Sequence, residues 1–588
     1  MSTPGSSRSE RSIEDAAVAE SIGIAAVRVE ERILASTGDI EQTKTRFESC
    51  ESVMQAGLLF SIPALMSQGL FKASKHYGSW KSGYYGFVHI LITLALMALS
   101  RIKNPEQLKN CPPGELGKII GLDRIPQAKC LREKITFITD QGKAREFQND
   151  LAKSWIETDE CIYFNIDGHV RVYNGSKANL TKKYVSRQKL CLTGTTEFWV
   201  NDPNGLPIMN VAGELKEGLK QSIEQIIPIL IEDTKNLTPY SNQKGENGPE
   251  ILFTIIFDRE AYQPSFFKQL FEQKIAIITY RKNVKDRWDE NLFKVTDVQV
   301  IGKTVSMLIC EQEIELDEFV FREVRRLNDG GHQTSVITTN PYIEKEEIAG
   351  KMFGRWSQEN FFSYMIKDFD IDHIIEYGIE TIDENKQVVN PLYSKLSQRI
   401  KKCKEKNGRL VAKMYQLITE QSESEIDYVA KTIHENVTLK QKIDEFQKEI
   451  NKLVEDRKEI PARITLKEMP DQVRYNKLKT ESKLFINTIK MIAYRAETAL
   501  LNQIRNYYTD IDKDGRMLIK QIFKSDANIK PDYENKILNI TLHTLSTPRA
   551  NKAVKQLCDI LNETETQYPG TDLVMKFKTL ALLDYVGS

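Results

Sequence analysis

A chain of 588 residues with 40% hydrophobic and 28% charged side chains has material for several buried cores, about four at roughly 150 residues each. Lys plus Arg and Asp plus Glu both number 82, and this zero net charge excludes a globally polybasic protein and leaves nucleic-acid affinity to local clusters. Eight scattered cysteines without a Cys-x-x-Cys pair and seven dispersed histidines exclude a disulfide framework and a Cys/His zinc site, and fit a reducing interior.

The opening MSTPGSSRSERS is polar and lacks the apolar core of a signal peptide, and residues 1–11 read as disordered. Ile13 to Leu34 carry a helical rhythm that Ser36-Thr37-Gly38 stops. From Ala56 to Ser100 the pattern is helical, interrupted by Pro63, Gly69, Gly78 and Gly83. Phe87 to Leu99 is too short to span a bilayer and reads as the buried centre of a small helical domain; the expected location is the cytoplasm. CPPGELGKIIGLDRIPQAKCLREKI (111–135) predicts a helix from Pro113, a break at Gly121-Leu122-Asp123 and a second helix over 125–137. Gln127, Lys129, Arg132 and Lys134 on that second helix suit a DNA groove, although an αα-hairpin with a solvated face explains the same pattern.

From 160 to 283 the period switches from 3.6 to 2. In CIYFNIDGHVRVYNG (161–175), Cys161, Tyr163, Asn165 and Asp167 share one face of a strand and Ile162, Phe164 and Ile166 the other; Gly168 precedes a returning strand, His169 to Tyr173. Strands are predicted at Lys189–Thr193, Glu197–Val200 and Leu206–Ala212, then a helix over 214–227 and a polar loop, SNQKGENG. ILFTIIF (251–257) is an apolar run fit for the middle of a sheet, ended by Asp258. Pro264 opens a helix and Ile275 to Thr279 is another strand, so the region is mixed α/β with Asp167 and Asp258 at the ends of two buried strands. Residues 284–340 read as strands with a hairpin turn at Gly330-Gly331-His332. One helix, about Lys345 to Lys367, is expected to carry Met352, Trp356, Phe362 and Ile366 as an apolar row with Glu359 in it, a costly place for a carboxylate unless something positive meets it.

Beyond Pro391 the chain is helical again, and Leu439, Ile443, Phe446, Ile450 and Leu453 form a coiled-coil seam, within one chain or between two. Residues 394–409 and the 463–505 region are locally basic. A long helix (481–508), a strand (537–544), a helix (549–563) and a strand (573–579) close the chain. DIDKDG at 510–515 opens like an EF-hand loop, but Gln521 replaces the bidentate acid, so a polar turn is expected there.

Carboxylates at strand ends, with one more on a covering helix, can hold a pair of hard cations for phosphoryl transfer; each acid alone is equally well a turn or N-cap residue. IDGHVRVYNG, IIFDREAYQPSFFKQL with the following ITYRKN, and GRWSQENFFSYM resemble the three acidic blocks of bacterial insertion-sequence transposases of the DDE type. DRIPQAKCLREKI, IKMIAYRAETAL and ETQYPGTDLVMKF are similar to further segments of such proteins, so the likeness runs over most of residues 50–580. The resemblance implies an RNase H-like core that cuts and joins DNA with two Mg²⁺ or Mn²⁺ ions. Carried over by block, Asp167 and Asp258 match the two aspartates and Glu359 the glutamate, as catalytic groups and metal ligands. In the related Y-x2-R-x3-E-x6-K signature Arg355 is kept, but Met352 stands at the tyrosine position and Ile366 at the lysine position, with Lys367 one place late. Arg259, Tyr280, Arg281, Lys282 and Arg355 near these blocks, with Lys129 and Arg132 in the helical domain, are the candidate DNA contacts; solvated edges or internal ion pairs are the alternative for each.

The expected architecture is multidomain α/β. An arm (1–45) precedes a helical DNA-binding domain (46–155), and an RNase H-like core (156–283 and 344–388) is split by a β-rich insertion (284–343). A helical, coiled-coil region (389–510) and a small α+β unit (511–588) follow. The expected function is a nucleoid-associated DNA transposase acting on transposon ends and target DNA as a dimer or higher assembly. A catalytically silent DNA-binding derivative and an RNase H-like nuclease without joining activity are the alternatives.

Overall fold

The computed structural model describes residues 25–580 except 79, 81–82, 161, 186, 240–247, 301–302, 373–377, 420–425, 471–473 and 508–510. The chain forms two compact units. Unit 1 takes Met1–Tyr173, Lys183–Glu376 and Lys479–Ser588; unit 2 takes Asn174–Lys182 and Tyr377–Leu478.

Unit 1 begins with α1 (Val29–Thr37), closed by Gly38 at φ 84°; residues 13–24 of the expected helix lie outside the described part. After a short strand, β1 (Cys50–Val53), come α2 (Phe87–Leu99), α3 (Pro113–Ile119), α4 (Ala128–Thr139) and α5 (Ala144–Thr158). All of α2 from His89 to Leu99 is buried, as its all-round apolar sequence requires.

The central sheet has ten strands: β2 (Tyr163–Val172), β3 (Lys182–Val185), β4 (Leu190–Asn201), β5 (Pro207–Gly213), β6 (Phe253–Phe257), β7 (Ile275–Tyr280), β8 (Lys294–Val300), β9 (Lys303–Leu316), β10 (Phe319–Leu327) and β11 (Gln333–Thr338). Its order is β3-β4-β2-β6-β7-β11-β10-β9-β8, with β5 also on β4. β2, β6 and β7 are mutually parallel and the flanking pairs antiparallel. The strands of 284–343 thus continue the sheet through β11 on β7.

Two expected breaks are absent. β2 runs straight through Gly168, and the predicted strands 189–193 and 197–200 are one strand, β4. Both glycines serve close approach, not a turn: a Cβ on Gly168 would come 3.0 Å from the Phe198 ring, and one on Gly194 2.2 Å from the Arg171 carbonyl. Helix α6 (Leu219–Thr234) starts later than predicted because Gly218 is its N-cap; Leu219, Ile223, Ile226, Ile227 and Leu230 form its buried stripe. With α7 (Pro264–Glu272), α6 covers the sheet face carrying Phe164, Ile255, Phe257 and Ile277.

The single helix predicted over 345–367 is two, α8 (Lys345–Phe353) and α9 (Trp356–Phe369). In one straight helix Met352 and Phe361 would point about 180° apart. Met352 packs with Ile256, Ile278 and Val336, whereas Phe361, Met365 and Phe369 enter the larger core, so the chain re-aims at Gly354-Arg355. The expected apolar row therefore dissolves: Glu359 is exposed, Phe362 and Ile366 are half-buried, and the Trp356 side chain lies outside the described part.

Unit 2 contributes α10 (Pro391–Thr419) and α11 (Ile426–Lys458), an antiparallel hairpin in which Ile400 and Cys403 pack on Ile450 and Leu453. Phe446, Ile450 and Leu453 of the apolar seam thus pack within one chain. Short ladders, Gln387–Val389 on Arg463–Thr465 and Ile379–Glu380 on Lys477–Leu478, lie beside it in the sequence.

The chain returns to unit 1 with α12 (Glu481–Gln503), α13 (Arg516–Lys524), β12 (Ala527–Asp532), β13 (Ile537–Leu542), α14 (Pro548–Glu563) and β14 (Val574–Thr579). DIDKDG is helical from Ile511 and runs into α13, which leaves no twelve-residue loop; Asp510 lies outside the described residues. The terminal sheet has order β1-β12-β13-β14, so its fourth strand comes from the chain's N-terminal region. Among the described residues the cysteines are free and no helix is long and apolar enough to cross a membrane.

Candidate active site

Parallel register lines up three side chains. Ile166 pairs with Phe257, and Phe257 with Thr279; one residue further on, Asp167, Asp258 and Tyr280 stand abreast, Asp167 midway along β2, Asp258 just past the end of β6 and Tyr280 at the last residue of β7. Trp199 lies opposite Asp167 on one side and Val336 opposite Tyr280 on the other. Strand alternation puts this row on the face of Tyr163, Ile256 and Ile278, which α8 covers with Ile348 and Met352.

Helix α9 covers the adjoining part of that face. Phe362 stacks on His169, two residues beyond Asp167, with centroids 5.4 Å apart and planes at 22°, and Phe361 sits 5.5 Å from Trp199. This seating brings the start of α9 to the aspartates. Arg355 Nη2 lies 3.5 Å from Asp167 Oδ2, and Glu359 follows one turn later.

Each aspartate has one oxygen engaged locally. Gly168 N–H donates to Asp167 Oδ1 at 2.8 Å, and Arg259 N–H to Asp258 Oδ1 at 2.6 Å, making Asp258 the cap of a short turn. Desolvation raises the Asp167 pKa above the usual carboxylate range; Arg355 and the Gly168 N–H oppose this, and the Asp258 and Glu260 charges add to it. The Tyr280 phenol is raised chiefly by burial, opposed by Arg355 and Arg259 and reinforced by Asp258 and Glu359. Tyr280 thus feels both the second aspartate and the glutamate.

The donors are all carboxylate oxygens, which suits a hard divalent cation. Among the described residues, no three His, Cys, Asp or Glu side chains converge closely enough to hold a metal ion. The aspartates are neighbours across the sheet, Glu359 stays at the exposed rim, and Arg355 supplies the positive charge at Asp167.

Residues 23–581 match the family model described as "Transposase protein". The chain belongs to this transposase family. Membership carries a transposition role and interaction with DNA. No curated protein matches the chain.

The candidate DNA contacts of this transposase-family chain fall into three groups. Arg259, with its guanidinium 5.7 Å from the centre of the Tyr280 ring, Tyr280 itself and Arg355 surround the acids. Arg281 turns away: it donates to the buried Glu323 at 2.7 Å, and Glu323 also pairs with the buried Arg325, so its guanidinium belongs to an internal network. Lys282 beside it is half-buried. Lys129 and Arg132 are exposed on α4, a helix that carries none of the acids, and Arg132 pairs with Glu106.

Two groups escaped the sequence reading. His169 shares the Asp167 face and meets Asp372, while Arg187 donates to its Nδ1 at 3.3 Å; the period-2 spacing from Asp167 was a usable signal for His169, but nothing local pointed to Asp372. The other is a buried polar anchor for the far end of α9 in the transposase-family chain. From α12, Lys483 donates to the Ile371 carbonyl at 2.6 Å and Lys490 to the Asp370 carbonyl at 3.0 Å. These ammonium groups sit at the helix's negative end, where their charge is favoured, while burial depresses both, Lys490 to about 8.

Proposed function

We propose that this member of the transposase family is a DDE-type enzyme with an RNase H-like core that binds transposon ends, cleaves DNA and joins the freed 3′-hydroxyl ends to target DNA. The observation that carries the reading is the abreast row of Asp167 and Asp258 with the glutamate-bearing helix seated over it. The sheet gives further support: antiparallel β5-β4-β2 followed by parallel β6 and β7 sets the two aspartates on neighbouring strands.

In this reading Asp167, Asp258 and Glu359 would hold two Mg²⁺ or Mn²⁺ ions, which requires Glu359 to draw closer to the aspartates than it stands in the free chain. When bound, such a pair activates the attacking oxygen and stabilises the leaving one. The chain's own cations have a separate task. Arg259 and Lys282 flank the row and hold the DNA backbone in line for attack, and Arg355 balances Asp167 until substrate and cations arrive. Two chains on two DNA ends would suit the paired reaction.

The test is Mg²⁺-dependent nicking and strand transfer on DNA carrying the inverted repeats that flank the reading frame. Asp167→Asn and Asp258→Asn should each lower cleavage by at least about a thousandfold while end binding persists, since they remove transition-state charge stabilisation. Wild-type-like cleavage in either variant would end the proposal. One observation favours a second reading, DNA binding without catalysis: a guanidinium already neutralises Asp167. A wild-type chain that binds its ends but never nicks them supports that alternative. A nuclease without joining activity would cleave and yet fail with pre-cut ends.

A further inference from the structure

Unit 2 contains one helix with a charge pattern unlike its partner's. The apolar side of α10, Leu396, Ile400 and Cys403, is covered by α11. At 100° per residue, Lys395, Arg399, Lys402, Lys406, Arg409 and Lys413 fall within about 80° of arc, roughly a quarter-turn from that seam. All six are exposed. The stripe extends about 27 Å at 1.5 Å per residue. Glu405, the sole acid in α10, lies off it. Among the described residues Arg399 meets Glu449 at 2.8 Å, and Lys395, Lys402, Lys406 and Arg409 meet no carboxylate.

A merely solvated helix face intersperses acids with bases, because like charges three or four residues apart weaken a helix and opposite ones support it. Helix α11 does this, alternating Lys440, Asp444, Lys448, Glu449, Lys452 and Asp456. Helix α10 does not. A row of cations spaced by about 5 Å, of which only Arg399 has a carboxylate partner among the described residues, suits a polymer that carries one charge per about 3.4 Å of each strand. The apolar flank that a membrane-surface helix would insert is already occupied by α11.

We propose that the exposed basic stripe of α10 is a sequence-independent contact to the DNA phosphate backbone, a second DNA surface in addition to the acid-bearing site. It deepens the transposase reading, on which the choice of DNA as the polyanion rests.

The test is fluorescence anisotropy of the full chain on a labelled duplex of arbitrary sequence, across a salt series. The combined variant Lys395→Gln/Lys402→Gln/Lys406→Gln/Arg409→Gln should flatten the slope of log K against log salt by about 3 to 4, at about 0.9 per lost phosphate contact. The set Lys440→Gln/Lys442→Gln/Lys448→Gln/Lys452→Gln removes the same charge from α11 and should leave the slope unchanged. Lys395→Arg/Lys402→Arg/Lys406→Arg should also keep it, and circular dichroism should match in all three. Equal flattening by both glutamine sets, no flattening by either, or an effect confined to RNA duplexes, acidic proteins or anionic vesicles would overturn the proposal. Asp167→Asn should lose cleavage and keep the slope. A chain that never cleaves therefore sinks the catalytic reading and leaves this comparison standing.

Discussion

Arg355 Nη2 lies 3.5 Å from Asp167 Oδ2, so the residue just before the glutamate's helix is also the counter-ion of the first aspartate in the row. The contact couples two events. On the proposed two-metal reading, a cation beside Asp167 would have to displace or repel the guanidinium, and a shift of Arg355 would be passed to Glu359 one turn along.

Arg355→Gln should therefore lower the half-saturating Mg²⁺ concentration several-fold, for a competition of about 1 kcal/mol at a partly exposed pair, and weaken DNA binding. Calorimetric titration of Mg²⁺ without DNA, followed by DNA binding at fixed Mg²⁺, separates the two effects. An unchanged or raised Mg²⁺ midpoint would show that Arg355 does not compete with cations.

Glu497 anchors the other half of α9. It accepts from Arg101 at 2.6 Å and Arg516 at 3.3 Å, and the Tyr364 hydroxyl donates to it. Glu497→Ala leaves the buried Arg516 guanidinium without its carboxylate and the half-buried Arg101 with Asp368 alone, a loss of about 3 kcal/mol. The expected result is faster proteolytic cutting and amide exchange in 356–371, together with reduced cleavage of DNA. Glu497→Gln keeps hydrogen-bond acceptors and should be milder.

Asp202 closes the turn between β4 and β5 by accepting from Leu206 N–H at 2.7 Å. Burial raises its pKa from 3.8 to about 6, opposed by that N–H and by Arg495. Between these values the folded chain keeps a proton that the unfolded chain has released, so stability falls as pH rises through the window, by roughly 3 kcal/mol in total. Asp202→Asn keeps an acceptor for Leu206 and cannot ionise. Its melting temperature should exceed the wild type's at about pH 7.5, and the gap should close below about pH 4. A gap independent of pH would assign the effect to packing.

Much of the site was legible in local pattern. ILFTIIF announced a strand buried on both faces, and the period-2 run into Asp167 announced another, so the strands that carry both aspartates were legible from their own neighbours. Glu359 was singled out through a resemblance, and the face assigned to it did not survive. A sequence wheel assumes one straight axis, while Met352 and Phe361 serve two different cores and force the break at Gly354-Arg355. Gly168 was read as a turn because spacing cannot distinguish a turn from a place where another strand's atoms press close.

By itself, then, the sequence determined most of the strands and helices, that Asp258 ends a buried strand, and that the 394–409 segment is basic, since each depends on residues within a few positions of one another. Tertiary structure alone decided that Asp167 and Asp258 stand side by side, that Arg281 answers to Glu323 and Arg355 to Asp167, and that β1 completes the terminal sheet. Those pairings join residues tens to hundreds of positions apart. They are chosen by register and by the need of buried charges for a partner, which no local window contains.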